Sequence, residues 1–196
     1  MRIFLTIISL ILITSCISEE EKRAREILEK YVEAKKEFNF DLTDHFPNTL
    51  KSFRHLSIGY PAGAYGNGMA NIIYSQGLDS TEFNDLKSKL NLNRIKAYKP
   101  TDSLFIIIGD TLNYEQKTFG IPIPSFESYE RDFGLNSKYL TVNHKIYVLE
   151  YKPGKFMEGK YLTSNKNLPE KWKNGFSRGL ATNEKQNEVI YWLCVW

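Results

Sequence analysis

The sequence has 196 residues and a formal net charge of +3 at neutral pH. Charged residues of both signs make up 25% of it and aromatic residues 14%, which is too aromatic for a disordered chain. The small net charge gives no support for nucleic-acid binding. The length suits one domain with its own core, and two cysteines are too few for a disulfide-rich scaffold.

The first fifteen residues have the pattern of a secretory signal. Arg2 supplies a positive charge, and an apolar run from Ile3 to Ile13 follows it. This run is shorter than the about 20 residues that span a bilayer, and a signal of this kind is removed on export. The sequence therefore predicts a signal peptide over residues 1–15 and a single domain over residues 16–196.

The signal ends in Ile13-Thr14-Ser15-Cys16, which resembles the lipobox of bacterial lipoproteins. In that family a small residue precedes the cysteine, whose thiol receives a diacylglyceryl group before the peptidase cuts. The resemblance implies that Cys16 becomes the lipidated first residue of a cell-envelope protein, held at the outer membrane on its periplasmic face or at the cell surface. An ordinary signal peptide with an incidental cysteine is the alternative. Lipidation would leave Cys194 without a disulfide partner, so Cys194 is expected to be buried.

Residues 18–38 have the period of an amphipathic helix. The apolar side chains that share one face are Ala24, Ile27, Leu28, Tyr31 and Phe38. The glutamates at positions 19–21 suit the positive end of the helix dipole. Serine and acidic residues after an acylated cysteine also resemble the surface-export signal of lipoproteins in one large group of Gram-negative bacteria. The two interpretations of the glutamates are compatible.

A glycine-rich stretch over residues 59–68 follows, with four glycines and one proline. These residues disfavour a regular element and favour unusual backbone angles. A short second helix is predicted after the stretch. Asp79 or Ser80 would cap it, and Glu82 would lie in its first turn.

Predicted strands account for most of the remaining chain. They cover residues 94–98, 103–108, 139–142, 145–151, 155–162, 176–182 and 188–195. Because turns rather than crossover helices join them, the sequence predicts an α+β fold with a mostly antiparallel sheet built from hairpins. Residues 104–108 are apolar on both faces and are expected at the centre of the sheet. The Ile-Pro-Ile-Pro segment at residues 121–124 is expected at an edge or in a loop.

No coherent catalytic or metal-binding set emerges from the sequence. Residues 175–179 match the G-x-S-x-G pattern, but no histidine follows Ser177, and the flanking residues are typical of a strand rather than a helix. Turn formation explains Asp41, Asp44 and His45 better than a weak metal site does. We therefore predict no catalytic residue, no metal ion and no cofactor.

The glycine-rich stretch is the place where a ligand is expected. Tyr60, Tyr65 and Asn67 combine amphipathic or polar side chains with a backbone that several glycines leave accessible. We therefore predict them as ligand-binding residues. The alternative is that the tyrosines pack back on the domain and serve stability alone.

These features favour a membrane-anchored, non-enzymatic binding or accessory protein of the cell envelope. Its partners would be the membrane, through the lipid on Cys16, and an envelope protein or a glycan, with no role for nucleic acid. The alternative is a hydrolase acting on envelope or extracellular polymers, which would need polar residues to converge in a cleft. A structural role in a larger envelope complex is a third possibility.

Overall fold

A computed structural model describes residues 19–52, 55–60, 69–108, 120–126, 140, 142–158 and 168–196. Within this part of the chain the helices are α1 (Glu19–Glu37) and α2 (Ser80–Lys89). The strands are β1 (Leu56–Gly59), β2 (Ala70–Gly77), β3 (Ala97–Tyr98), β4 (Phe105–Ile108), β5 (Ile121–Pro124), β6 (Lys145–Pro153), β7 (Gly175–Asn183) and β8 (Glu188–Val195). The predicted α+β class and the N-terminal helix are confirmed.

Six of the described strands form one sheet in the order β1-β2-β8-β7-β6-β3, and every neighbouring pair is antiparallel. The predicted last hairpin is present as β7 and β8. Every residue of β8 is buried, because β2 and β7 flank the strand and both faces of the sheet are covered. Burial on both faces explains why the sequence of this strand is a near-continuous apolar run.

Alternate residues of β8 contribute to two different cores. Tyr191, Leu193 and Val195 face α1 and pack in one core with its Tyr31 and Phe38; this side of the sheet is called the helix face. Ile190, Trp192 and Cys194 face the other side, called the opposite face. Cys194 is fully buried there, as expected.

The expectation that residues 104–108 form a central strand of the main sheet is wrong. β4 pairs in parallel with β5 in a separate two-stranded sheet that covers the opposite face. Phe105 packs in the core around Trp192, whereas Ile106 and Ile108 pack in the core that contains Trp196. The run is apolar because β4 belongs to two cores. The edge position predicted for β5 is confirmed, since both strands of a two-stranded sheet are edges.

The turn-like residues 99–102 predict a hairpin between residues 94–98 and 103–108, and this prediction is wrong, because β3 pairs with β6 and β4 pairs with β5. The predicted strand over residues 155–162 is wrong in its first half, since residues 155–158 are not in a strand. Residues 159–162 lie outside the described residues. Gly154, with a φ of +132°, ends β6 in a conformation that favours glycine. β1 and β2 were not predicted from the sequence.

The second helix begins as the sequence predicts. Asp79 accepts hydrogen bonds from the backbone N–H groups of Thr81 and Glu82, and the Glu82 carboxylate accepts from the Asp79 N–H. This capping box satisfies N–H groups that would otherwise lack partners at the helix start. In the described part of the chain, no helix is long and apolar enough to cross a membrane.

Two strand glycines allow a test of how tightly the sheet is packed. A Cβ atom on Gly179 would lie 2.3 Å from the Tyr147 carbonyl oxygen and 2.4 Å from Trp192 Cζ2. One on Gly77 would meet, within the described part of the chain, only the Asn187 carbonyl oxygen at 4.0 Å. Gly179→Ala should therefore lower the free energy of unfolding by at least about 2 kcal/mol. Gly77→Ala should change it by less than about 0.5 kcal/mol. Urea unfolding measures both, and equal losses would contradict this packing.

Candidate functional site

The structure places Tyr60 directly after β1, beside the end of α1. Its ring stacks on Phe38 with the ring centroids 5.9 Å apart and the planes 17° from parallel. A groove of about 280 Å³ opens here between α1 and β1, and we call it the Tyr60 groove. The residues that line it are Lys30, Glu33, Ala34, Glu37, Ile58 and Tyr60. Tyr65 and Asn67, the other predicted ligand-binding residues, lie outside the described residues.

The Tyr60 groove combines an apolar floor with a charged rim. Ala34, Ile58 and the Tyr60 ring supply apolar surface, and charged side chains of both signs project from α1 beside them. Small ligand sites often join apolar surface to a few polar groups in this way, and tyrosine is a common contact residue in them. The Tyr60 ring therefore packs on Phe38 and lines the groove, and its role in ligand binding stays a prediction.

Next to α1, the loop over residues 39–47 is fixed to the sheet by Arg178 of β7. Its Nη1 donates to Asp44 Oδ1 at 2.5 Å and to the Asp41 carbonyl oxygen at 2.7 Å, and its Nε donates to Glu150 Oε2 at 3.1 Å. The nearby His45 ring and Arg178 lower the pKa of the Asp44 carboxyl to about 2. Since His45 Nδ1 is 3.8 Å from Asp44 Oδ1, beyond hydrogen-bonding distance, the short Arg178 contact is the firmer cause.

His45 completes this attachment from within the core. Its side chain is fully buried, and its Nε2 donates to the Trp192 carbonyl oxygen at 3.0 Å. Burial lowers the pKa of the His45 imidazole below the ordinary value of 6.5. Asp41, Asp44 and His45 thus attach a loop to the sheet. Among the described residues, no three His, Cys, Asp or Glu side chains are arranged to hold a metal ion.

Because folding keeps His45 neutral, stability should depend on pH. Below pH 6.5 the His45 imidazole binds a proton in the unfolded chain but not in the folded protein. The free energy of unfolding is therefore highest above this pH and falls as the pH decreases. Asp44, with a pKa of about 2, does not titrate in this range. Thermal melts between about pH 7.5 and 5.5 should show a falling melting temperature. His45→Gln, which keeps an N–H donor, should reduce that fall.

The half-buried His55 provides the control for this experiment. His55→Gln should retain the pH dependence of the wild-type protein, because His55 lies outside the attachment of the loop. A His45→Gln protein with the full wild-type dependence would show that another group is responsible.

The G-x-S-x-G match is part of a strand, as its flanking residues indicated. Gly175 to Gly179 all lie in β7, and Ser177 is fully buried on the opposite face. A nucleophile elbow instead presents its serine on an exposed turn between a strand and a helix. Ser177 is therefore a packing residue.

Sequence reasoning missed a second concave site, at the far end of β2. A pocket of about 390 Å³ is lined there by His55, Ser75, Gln76, Gly77, Gln186 and Glu188, and we call it the polar pocket. Ser75 Oγ donates to Glu188 Oε1 at 2.9 Å, and His144 Nε2 lies 3.6 Å from Glu188 Oε2. The serine thus donates to a carboxylate, whereas a serine nucleophile would donate to a histidine. The one feature of the sequence that could have indicated this pocket is Glu188, a charged residue at the start of an otherwise apolar strand.

The packing of Tyr60 can be measured directly. Because the ring is half-buried on Phe38, Tyr60→Ala should lower the free energy of unfolding by about 1 to 2 kcal/mol. For a chain of this size that corresponds to roughly 2 to 8 °C in melting temperature. Tyr60→Phe keeps the stacked ring and should melt close to the wild type. An unchanged melting temperature for Tyr60→Ala would remove the packing role and leave only the contact with a ligand.

Comparison with known proteins identifies no relative of this chain. No protein-family model matches it, and no curated protein or solved structure matches it either.

Proposed function

We propose that the chain is the precursor of a bacterial lipoprotein, anchored in the cell envelope by lipid on Cys16, whose domain is a non-enzymatic binding module. The observation that carries the proposal is the order of elements at the start of the sequence. A positive residue, an apolar run, and small residues directly before Cys16 follow one another in the register of a lipoprotein signal. Together these three features are more specific than any one of them.

The position of α1 suits such an anchor. Only two residues separate Cys16 from the start of α1 at Glu19, so the lipid would be attached almost directly to the helix. Every residue from Glu19 to Lys30, all of them described, is exposed or half-buried, and the first buried residue of the helix is Tyr31. Ile27 packs against the core of the helix face, and the residues before it, Glu19 to Glu26, form about 12 Å of helix at 1.5 Å per residue. This part of α1 would act as a stalk between the membrane and the domain.

The charges of α1 favour anchoring by lipid rather than by electrostatic attraction. Acidic and basic residues alternate along the helix, and it begins with Glu19, Glu20 and Glu21. Helices that bind anionic membranes by charge are instead rich in lysine and arginine. A diacylglyceryl group supplies two acyl chains, which is enough for stable anchoring.

The Tyr60 groove is the proposed binding surface of this lipoprotein. It lies along α1, the same helix that would connect the domain to the lipid. Its apolar floor and its charges of both signs suit an envelope protein or a glycan, whereas a uniformly basic surface would suit nucleic acid. The outer membrane is the proposed location.

The anchor is tested by replacing one atom. Cys16→Ser should abolish incorporation of labelled fatty acid, because a hydroxyl group cannot form the thioether to the diacylglyceryl group. The matched control is Cys194→Ala, which removes the other cysteine and should leave labelling unchanged, since Cys194 is buried in the domain. Labelling of immunoprecipitated protein and membrane fractionation provide the readouts. A Cys16→Ser chain that still carries the label would disprove the proposal.

A further inference from the structure

Buried polar residues are concentrated at one end of the main sheet. Ser75, His144, Asn183 and Glu188 are all at least nine-tenths buried. Asn183 and Glu188 are directly paired across β7 and β8, and His144 immediately precedes β6. Burying a carboxylate and an imidazole together is unfavourable unless their polar atoms find partners. The next residues on this face of the four strands are the apolar Ile73, Ile146, Ala181 and Ile190, so packing alone does not require this polar end.

This polar end is open rather than filled. Glu188 contributes to the wall of the polar pocket, whose volume of about 390 Å³ lies within the range of small-molecule sites. Gly77 is paired with Glu188 across β2 and β8. Among the residues that the structure describes, a Cβ atom on Gly77 would contact the Asn187 carbonyl oxygen alone, at 4.0 Å. The missing side chain therefore leaves room beside the carboxylate.

The orientation of the hydrogen bonds limits which ligand fits. Ser75 gives its only proton to Glu188, so its Oγ presents lone pairs, as the Glu188 carboxylate does. The Gln76 amide is engaged elsewhere, accepting from Tyr74 and donating to Tyr191. Ser75 and Glu188 thus offer acceptors, and a ligand that contacts both must supply donors.

The charge of the pocket lining further limits which ligand fits. Among the lining residues that the structure describes, Glu188 is the one with a carboxyl group, which is negatively charged when ionised. A group with several N–H donors and a positive charge satisfies both conditions. From this geometry we infer that the polar pocket binds the primary ammonium group of a small molecule, with Glu188 as its counter-ion and Ser75 Oγ as a second acceptor. This site is separate from the Tyr60 groove, and it does not depend on the lipid anchor.

Matched pairs of probe molecules show whether binding depends on the positive charge of the ligand or only on its shape. The full-length protein in detergent is titrated with ethanolamine, n-butylamine and D-glucosamine, and with their hydroxyl counterparts ethylene glycol, n-butanol and D-glucose. Ligand-observed NMR or calorimetry should show saturable binding of at least one amine, and binding at least about tenfold weaker for its counterpart. Lack of saturation by every amine up to about 50 mM, or equal binding of the hydroxyl compounds, would overturn the inference. Displacement of a bound amine by an equimolar concentration of zinc would also overturn the inference.

Three variants locate the binding. Glu188→Gln removes the charge while keeping an oxygen for Ser75, and should weaken amine binding at least about tenfold. Gly77→Val places a side chain in the open space beside Glu188 and should abolish binding without removing any polar group, which keeps the test valid if Glu188→Gln fails to fold. The control is Glu184→Gln in the neighbouring turn, where Glu184 pairs with Lys145 at 3.1 Å outside the pocket. It should bind as the wild type does. Wild-type affinity in Gly77→Val would overturn the inference.

Discussion

The burial of β8 on both faces is the constraint on which the rest of the structure depends. The strand pairs with β2 along its full length on one side and with β7 on the other. Its alternate side chains enter the cores on both sides of the sheet. A one-residue slip of register would exchange these two sets and would bury Glu188 among the residues of the helix face. The register of β8 therefore fixes the positions of α1, of the two-stranded sheet and of the polar pocket.

The attachment of residues 39–47 connects this strand to α1. His45 donates to the backbone of β8 itself, and Arg178 holds the same loop from β7. Tyr31 of α1 adds a third link by donating to the Pro47 carbonyl oxygen. The C-terminal half of α1 is therefore held rigidly, and with it the groove where Phe38 supports Tyr60. The N-terminal half of the helix contributes no buried side chain, although Ile27 packs against the core of the helix face.

Features encoded by neighbouring residues could be predicted from the sequence, and features that join distant residues could not. The cap at Asp79 and the period of α1 depend on residues a few positions apart, and the β7–β8 hairpin joins two strands that follow each other directly in the sequence. The partner of β4 depends instead on which surface its apolar side chains cover. Likewise, the polar pocket joins Ser75 and Glu188, which are 113 positions apart in the sequence, and it was missed because β2 was not predicted. Tyr60 was found by its local glycine-rich context alone.

The two proposed sites lie at different ends of the sheet. The Tyr60 groove lies beside Ile58 of β1, near the start of β2, on the helix face. The polar pocket lies near Gly77, at the end of β2, and about 20 Å of strand separates the two. Because the two sites share no lining residue, a partner at the groove and a small amine in the pocket would not compete with each other. A membrane-anchored module with this arrangement could present one surface to a partner in the envelope while the other site takes up a small ligand.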